Sequence, residues 1–111
     1  MTKEAAIREI TARLLSHFDP LRVYLFGSQA RGDSDPESDL DFLVVVPDET
    51  PREKLKSGPF FVHAKGVPFP IDVVVWKVSE FDRRLHLRAS FPATVVREGR
   101  LLYAAADLVE R

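Results

Sequence analysis

Two aspartates held one residue apart are the pair in this sequence whose type and spacing most clearly suggest chemistry. Asp39 and Asp41 begin the apolar run DLDFLVVV, which predicts a β-strand over residues 39–46. Side chains two residues apart on a strand project from the same face, so the two carboxylates point together while Leu40 and Phe42 point the other way. Two like charges at the margin of a core repel each other and lose hydration. A divalent cation relieves both costs, and oxygen-only ligands suit Mg²⁺.

Asp72 repeats this situation at the start of a second apolar run. The sequence IDVVVW predicts a strand over residues 71–76, with Asp72 near its beginning. If this strand lies beside the strand over 39–46, Asp72 joins Asp39 and Asp41 in a cluster of three carboxylates. Such a cluster can hold two metal ions about 3.5–4 Å apart, the arrangement used for in-line displacement at phosphorus.

Gly27 and Ser28 follow a further predicted strand, LRVYLF, over residues 21–26. A glycine after a strand allows the backbone to approach a ligand, and the turn that follows directs free N–H groups outward. The Ser28 hydroxyl can donate to a phosphate, and Arg31 can reach the same anion with its guanidinium group. The order of a phosphate-binding turn, a loop over 32–38 and metal ligands on the next strand predicts a site for a nucleoside triphosphate with Mg²⁺.

Each of these residues also has an ordinary structural explanation. A lone Asp-x-Asp is more often the hydrated start of a strand, and Ser28 alone is more often a helix cap. Arg31 alone is most often a hydrated loop residue, and Asp72 is as often a simple strand entrance. The order and spacing of the whole set favour the functional interpretation.

Other polar and aromatic residues are weaker candidates. The histidines lie in different segments and are interpreted as structural or surface residues: His17, His63 and His86. Trp76 shares a strand face with Asp72, so it either lines the pocket or packs in the core, and core packing is the favoured interpretation. Three arginines are typical of a hydrated helix face, with an acidic partner as the alternative: Arg83, Arg84 and Arg88.

The elements that must position these residues follow from periodicity and turn chemistry. Residues 3–18 predict an amphipathic helix capped by Thr2, with four apolar residues at helical spacing. These are Ile7, Ile10, Leu14 and Phe18. The sequence TPRE at 50–53 resembles a capping box with proline at the first helical position and predicts a short helix to about Ser57.

The second half of the chain reads as a mixture of strands and helices. Residues 60–64 fit a strand that turns at Lys65 and Gly66, and a helix is expected from Ser79 to about Leu87. FPATVVRE at 91–98 fits a helix or a strand, RLLY predicts a strand, and the tail AAADLVER from 104 is expected to end in a helix. Together these favour one α/β domain over 1–111, with a sheet of three to five strands flanked by helices.

Composition narrows the class of function. The 111 residues include no cysteine, which excludes disulfides and any cysteine-based zinc site or nucleophile. No apolar run approaches the roughly 20 residues of a membrane span, and the charged N-terminal helix does not resemble a signal peptide, so a cytoplasmic location is expected. The net charge of −1 argues against a general electrostatic grip on nucleic acid.

These residues, in this order and at this spacing, resemble the signature of a known superfamily. Gly27-Ser28, ten intervening residues and then Asp39-Leu40-Asp41-Phe42 are similar to the signature of the DNA polymerase β-like nucleotidyltransferases. The longer string FGSQARGDSDPESDLDFLVV resembles the minimal nucleotidyltransferase (MNT) branch. Ile71-Asp72 matches the strand of the third carboxylate, and REGRLLY resembles the closing segment. The proline-rich segment 47–70 departs from the pattern, where a more regular helix is expected.

The resemblance implies a fold and a set of roles. The fold is the small mixed sheet of the polymerase β-like nucleotidyltransferases. Asp39 and Asp41 would bind two Mg²⁺ ions, and Asp72 would bind the ion that activates the attacking hydroxyl or would accept its proton. Gly27 and Ser28 would hold the β- and γ-phosphates of ATP. Arg31 would steady the triphosphate while pyrophosphate leaves.

The resemblance also implies a partner. Stand-alone MNT proteins typically pair with a HEPN-domain toxin, and the MNT member acts as antitoxin by transferring AMP from ATP to a tyrosine of the toxin. The HEPN signature is absent from this sequence, which would make the chain the antitoxin, in a hetero-complex or as a homo-oligomer. Two alternatives remain: the same chemistry on a small-molecule acceptor, and a non-catalytic module that masks its partner by binding. The lack of an acceptor-binding domain counts against the first.

Overall fold

A computed structural model of the chain describes residues 1–27, 39–56 and 65–105. Their centre is a four-stranded sheet in the order β3-β2-β1-β4. The strands are β1 (Arg22–Phe26), β2 (Leu40–Val46), β3 (Ile71–Lys77) and β4 (Arg100–Ala104). Strand β1 is antiparallel to β2 and to β4, whereas β2 and β3 are parallel. The expected small mixed sheet is therefore confirmed.

The helix α1 (Lys3–Phe18) covers one face of the sheet. The Thr2 hydroxyl accepts a hydrogen bond from the Ala5 N–H at 3.0 Å, so the predicted cap is present. Asp19 ends the helix in the left-handed region, with φ of 50°. The four apolar residues expected on the inner side are all buried, against strand side chains that include Val23, Leu40, Phe42 and Val44.

Two short helices, α2 (Val78–Arg83) and α3 (Phe91–Glu98), cover part of the opposite face. Phe81 of α2 is fully buried and stacks on Tyr24 of β1, with ring centroids 5.8 Å apart. The Arg22 guanidinium lies over the Phe81 ring at 5.2 Å and donates to Asp82 Oδ1 at 2.9 Å. Because both faces are covered, six of the seven residues of β2 are buried, as the continuous apolar run predicts.

The helix expected from Ser79 to about Leu87 is shorter in the structure. It begins at Val78 and ends at Arg83, and the next residues form tighter turns, with the Leu85 N–H donating to the Asp82 carbonyl. Its N-terminus is capped from outside, because Asp48 Oδ1 accepts the Ser79 N–H at 2.9 Å. That backbone hydrogen bond lowers the pKa of Asp48.

The short helix expected to about Ser57 is a 3₁₀ helix over Arg52–Leu55, and it lacks the predicted capping box. Pro51 stands at the N-cap without a side-chain cap bond, its carbonyl accepts the Lys54 N–H at 3.0 Å, and Lys56 returns to extended backbone. The turn at Lys65 and Gly66 is confirmed. The strand expected over 60–64 and the tail helix, apart from its first two residues, lie outside the described residues.

The ambiguous sequence FPATVVRE forms α3, not a strand. The Ser90 hydroxyl accepts the Ala93 N–H at 3.2 Å, and Pro92 occupies the first turn, where its missing N–H costs nothing. The Gly99 N–H donates to the Val95 carbonyl at 2.7 Å, and β4 follows as expected. The strand extends to Ala104, the first residue of the predicted tail. Within the described ranges, no helix has the length and apolar character to cross a bilayer.

The different burial of Phe81 in α2 and Val96 in α3 predicts unequal effects of substitution. Phe81→Ala removes a fully buried ring and should lower the free energy of unfolding by about 3–5 kcal/mol. Val96→Ala alters an α3 side chain that is 49% exposed and should stay within about 0.5 kcal/mol of wild type. Urea denaturation measures both, and a Phe81→Ala loss no larger than that of Val96→Ala would contradict the packing described.

Candidate active site

The register of the parallel strands places Asp41 of β2 directly beside Asp72 of β3. Asp39 lies immediately before β2, close enough for its charge to act on Asp41. The strand that carries Asp72 therefore does neighbour the strand that follows Asp39, which the sequence alone left open. Since side chains of register partners project from the same face, the carboxylates of Asp41 and Asp72 lie together.

The three carboxylates have different surroundings. Asp39 and Asp72 are exposed, whereas Asp41 is half-buried. Burial raises the pKa of Asp41, and the negative charges of Asp72 and Asp39 raise it further. Burial and the two negative charges therefore all disfavour the ionised form of Asp41.

The donor set fits a hard divalent cation, although the side chains do not form a closed ligand cage. In the part of the chain that the structure describes, no three acidic or histidine side chains stand close enough together to hold an ion as they are. Strand register brings Asp41 beside Asp72, but the described side chains do not form the expected cluster of three carboxylates. Carboxylate oxygens are the ligands that Mg²⁺ takes, and it completes its shell with water and phosphate.

Gly27 closes the site on the β1 side. Its φ is 78°, a conformation that glycine adopts readily and L-residues rarely. A Cβ atom built on Gly27 would lie 2.5 Å from Asp41 Oδ2, so the carboxylate occupies the space that a side chain would need. Because Gly27 has no side chain, the Asp41 carboxylate can lie close to its backbone. The predicted phosphate ligands Ser28 and Arg31 lie outside the described residues.

An aromatic group borders the carboxylates and was missed by the sequence reasoning. Phe26 is the register partner of Asp41 on β1, so Asp41 lies between a phenyl ring and Asp72. Phe91 of α3 meets Phe26 edge to face, with centroids 5.3 Å apart. Strand alternation could have assigned Phe26 to a face, but pairing it with Asp41 requires the β1–β2 register. Phe91 carried no signal of its own in a segment that fitted either helix or strand.

Trp76 packs in the core of this face, as favoured from the sequence. It is half-buried and stacks on Phe91, with centroids 6.0 Å apart. Phe81 meets it edge to face at 6.4 Å, and the Arg84 guanidinium lies 5.9 Å from its ring centre. These contacts make Trp76 part of the wall that supports Phe91.

The remaining candidates lie apart from this group. The half-buried His17 packs edge-on against Phe18 at 4.7 Å, His86 is exposed, and His63 is outside the described residues. Arg83 and Arg84 are exposed and pair with Glu80, which matches the predicted hydrated helix face except that α2 ends at Arg83. Arg88 lies beyond the helix and is exposed.

The contact between Gly27 and Asp41 predicts a difference between two glycine variants. Gly66 also has a positive φ, 93°, but a Cβ there meets nothing within 4 Å. Gly66→Ala should therefore cost only backbone strain, about 1–3 kcal/mol. Gly27→Ala carries the same strain and must also displace the carboxylate, adding about 1–3 kcal/mol. Thermal denaturation compares the two variants. Equal losses of melting temperature would show that the Asp41 carboxylate moves aside at little energetic cost.

The raised pKa of Asp41 predicts that its charge destabilises the metal-free fold. Because the pKa of Asp41 is higher in the folded chain than in the unfolded chain, the folded chain keeps the Asp41 proton to a higher pH. The free energy of unfolding therefore falls as the pH rises from the unfolded-state pKa through the folded-state pKa. Asp41→Asn removes this loss and should raise the melting temperature at neutral pH in EDTA. The advantage should shrink as the pH falls and Asp41 becomes protonated.

Asp19→Asn is the matched control, because Asp19 is exposed and asparagine tolerates its left-handed backbone. It should leave the melting temperature near that of wild type. An Asp41→Asn variant that melts at or below the wild-type temperature in EDTA would contradict the electrostatic account.

Comparisons with known proteins identify the family to which the chain belongs. Residues 6–102 match the model of the nucleotidyltransferase domain family. A relative from Methanocaldococcus jannaschii, provisionally named a protein adenylyltransferase, is 33% identical over 112 residues, which cover 93% of this chain and the whole of that protein.

Solved structures share the fold. A nucleotidyltransferase from Sulfolobus solfataricus, also provisionally named, superposes with a TM-score of 0.58 at 26% identity, covering 90% of this chain and 78% of that one. A toxin–antitoxin structure with AMP-PNP gives a TM-score of 0.57 at 22% identity, covering 97% and 78%. A mutant of the toxin–antitoxin MntA-HpeT gives 0.60 at 20% identity, covering 93% and 77%. The chain belongs to the nucleotidyltransferase domain family, with the polymerase β-like fold.

Proposed function

We propose that this chain transfers AMP from ATP to a hydroxyl group of a protein in the cytoplasm, specifically a tyrosine of a HEPN-domain toxin, and so acts as its antitoxin. The observation that carries the proposal is the pairing of Asp41 with Asp72 across parallel strands, with Asp39 at the strand entrance. The 33% identical relative named as a protein adenylyltransferase supports the reaction class. The toxin–antitoxin structures of the same fold support the type of partner.

The carboxylates are suited to hold two Mg²⁺ ions. Asp39, Asp41 and Asp72 would be the ligands. Burial and then the charges of Asp72 and Asp39 raise the pKa of Asp41, and a bound cation would offset both effects. When bound, Mg²⁺ supplies charge neutralisation of the triphosphate and lowers the pKa of the attacking hydroxyl.

The chain's own residues position the reactants. Asp41 is fixed by the backbone of β2 and by its packing against Gly27, which limits the directions its carboxylate can take. Asp72 is exposed, so it is accessible to an incoming hydroxyl and can accept its proton. The turn from Gly27 to Ser28, with Arg31, is proposed to hold the β- and γ-phosphates. The tyrosine oxygen attacks the α-phosphorus, the bond to the β-phosphate breaks, and pyrophosphate leaves.

A protein acceptor agrees with the openness of the site. Two of the three carboxylates are exposed, and β3 is at the edge of the described sheet, so none of the described strands covers Asp72 on that side. A tyrosine on a partner's surface can reach such a site without a second domain on this chain.

Intact-mass spectrometry of the toxin encoded beside this chain tests the proposal. The toxin is incubated with the chain, ATP and Mg²⁺, and we expect a mass gain equal to one or more AMP groups. Asp39→Asn/Asp41→Asn should abolish the gain, because two of the three proposed metal ligands are lost, while Asp19→Asn should retain it.

The alternatives give different results in the same experiment. A tight complex without any mass gain, and with neutralisation intact in Asp39→Asn/Asp41→Asn, would identify a masking module instead of an enzyme. Consumption of ATP with an unmodified toxin would direct the search to a small-molecule acceptor.

A further inference from the structure

We propose that the ring of Phe91 is the surface on which the nucleobase of the bound triphosphate stacks. This inference rests on the proposed function, because it assigns the part of the site that receives the base. It is carried by the position of Phe91, which lies on the same face of the sheet as the carboxylates and contacts the phenyl ring beside Asp41.

The register of the strands, together with the ring contacts of Phe91, relates the position of Phe91 to the carboxylates. On this face, successive rows across β1, β2 and β3 are separated by two residues, or about 6.5–7 Å. The rows are Phe26–Asp41–Asp72, then Tyr24–Leu43–Val74, then Arg22–Val45–Trp76. Phe91 reaches Phe26 in the first row and Trp76 in the third, with ring centroids 5.3 and 6.0 Å apart. Its ring therefore bridges the first and third rows, and the residue it contacts in the first row, Phe26, is the register partner of Asp41.

Phe91 is also the most exposed aromatic residue of this group, since Phe26 and Trp76 are half-buried. Its residue is 36% exposed, whereas Phe81 is fully buried and Tyr24 is 7% exposed. Trp76 is engaged by the Phe81 edge and by the Arg84 guanidinium. A planar ligand that extends from the carboxylate row over this face meets the ring of Phe91.

The backbone at Phe91 is held in place before any ligand binds. Phe91 is the first residue of α3, and the preceding Ser90 hydroxyl accepts the Ala93 N–H and donates to the Arg84 carbonyl at 2.7 Å. Pro92, the next residue, is buried. Because the ring is supported by Phe26 and Trp76 and its backbone by this cap, stacking would cost little additional ordering.

Stacking on a single ring predicts a specific pattern of base preference. Every base has an aromatic face, so an aromatic platform binds all of them, and stronger stacking favours purines over pyrimidines. We therefore expect ATP to bind more tightly than CTP, and CTP more tightly than inorganic tripolyphosphate, which has no base.

Calorimetric titration with Mg²⁺ present tests this pattern. The ligands are ATP, CTP and tripolyphosphate, and the proteins are wild type, Phe91→Ala, Phe91→Leu, Phe91→Trp and Val96→Ala. Phe91→Ala and Phe91→Leu should weaken ATP binding about 5- to 100-fold and leave tripolyphosphate binding unchanged. Phe91→Trp should retain ATP binding, and Val96→Ala, an exposed residue of the same helix, should match wild type.

The results separate this inference from the proposed function. Unchanged ATP affinity in Phe91→Leu, which keeps an apolar side chain at the position, would overturn the base site. So would an equal loss of affinity for ATP and tripolyphosphate, since that would indicate a structural role. A wild-type chain that binds tripolyphosphate as tightly as ATP would overturn the base site alone, whereas one that binds neither would overturn both proposals.

Discussion

The parallel pairing of β2 with β3 is the contact on which the rest of the site depends. It sets the half-buried Asp41 beside Asp72, while the β1–β2 register places Phe26 on the other side of Asp41. A half-buried carboxylate among like charges opposes folding, so the apolar packing around it must supply the difference. The fold does this by burying β2 on both faces, under α1 on one side and α2 and α3 on the other.

The same packing gives the second face two roles. Phe81 and Tyr24 are stacked and buried, and they belong to the core. Phe26 and Phe91 continue this aromatic layer to the margin where the carboxylates begin. The transition from core to site is therefore gradual, and a side chain such as Phe26 contributes both to packing and to the surroundings of Asp41.

How far the sequence predicts the structure depends on the range of the interaction concerned. The helix over 3–18 and the strands at LDFLVVV and IDVVVWK are evident from periodicity, and the carboxylates stand out as charges that enter apolar runs. The early end of α2 at Arg83 was not predicted. The hydrogen bond from the Ser79 N–H to Asp48 was not predicted either, because Asp48 lies 31 residues earlier. The pairings of Asp41 with Phe26 and with Asp72 are matters of register, which one sequence does not specify.

Because Asp72 lies on an edge strand, local opening of that strand can disrupt the site without global unfolding. Strand β3 is hydrogen-bonded to a single neighbour, β2, whereas β1 and β2 each have two within the described sheet. Edge elements open locally with free energies below that of global unfolding. Amide hydrogens of β3 should therefore exchange with solvent through partial openings that leave α1, β1 and β2 intact. In those partly open molecules the carboxylates are separated although most of the domain remains folded.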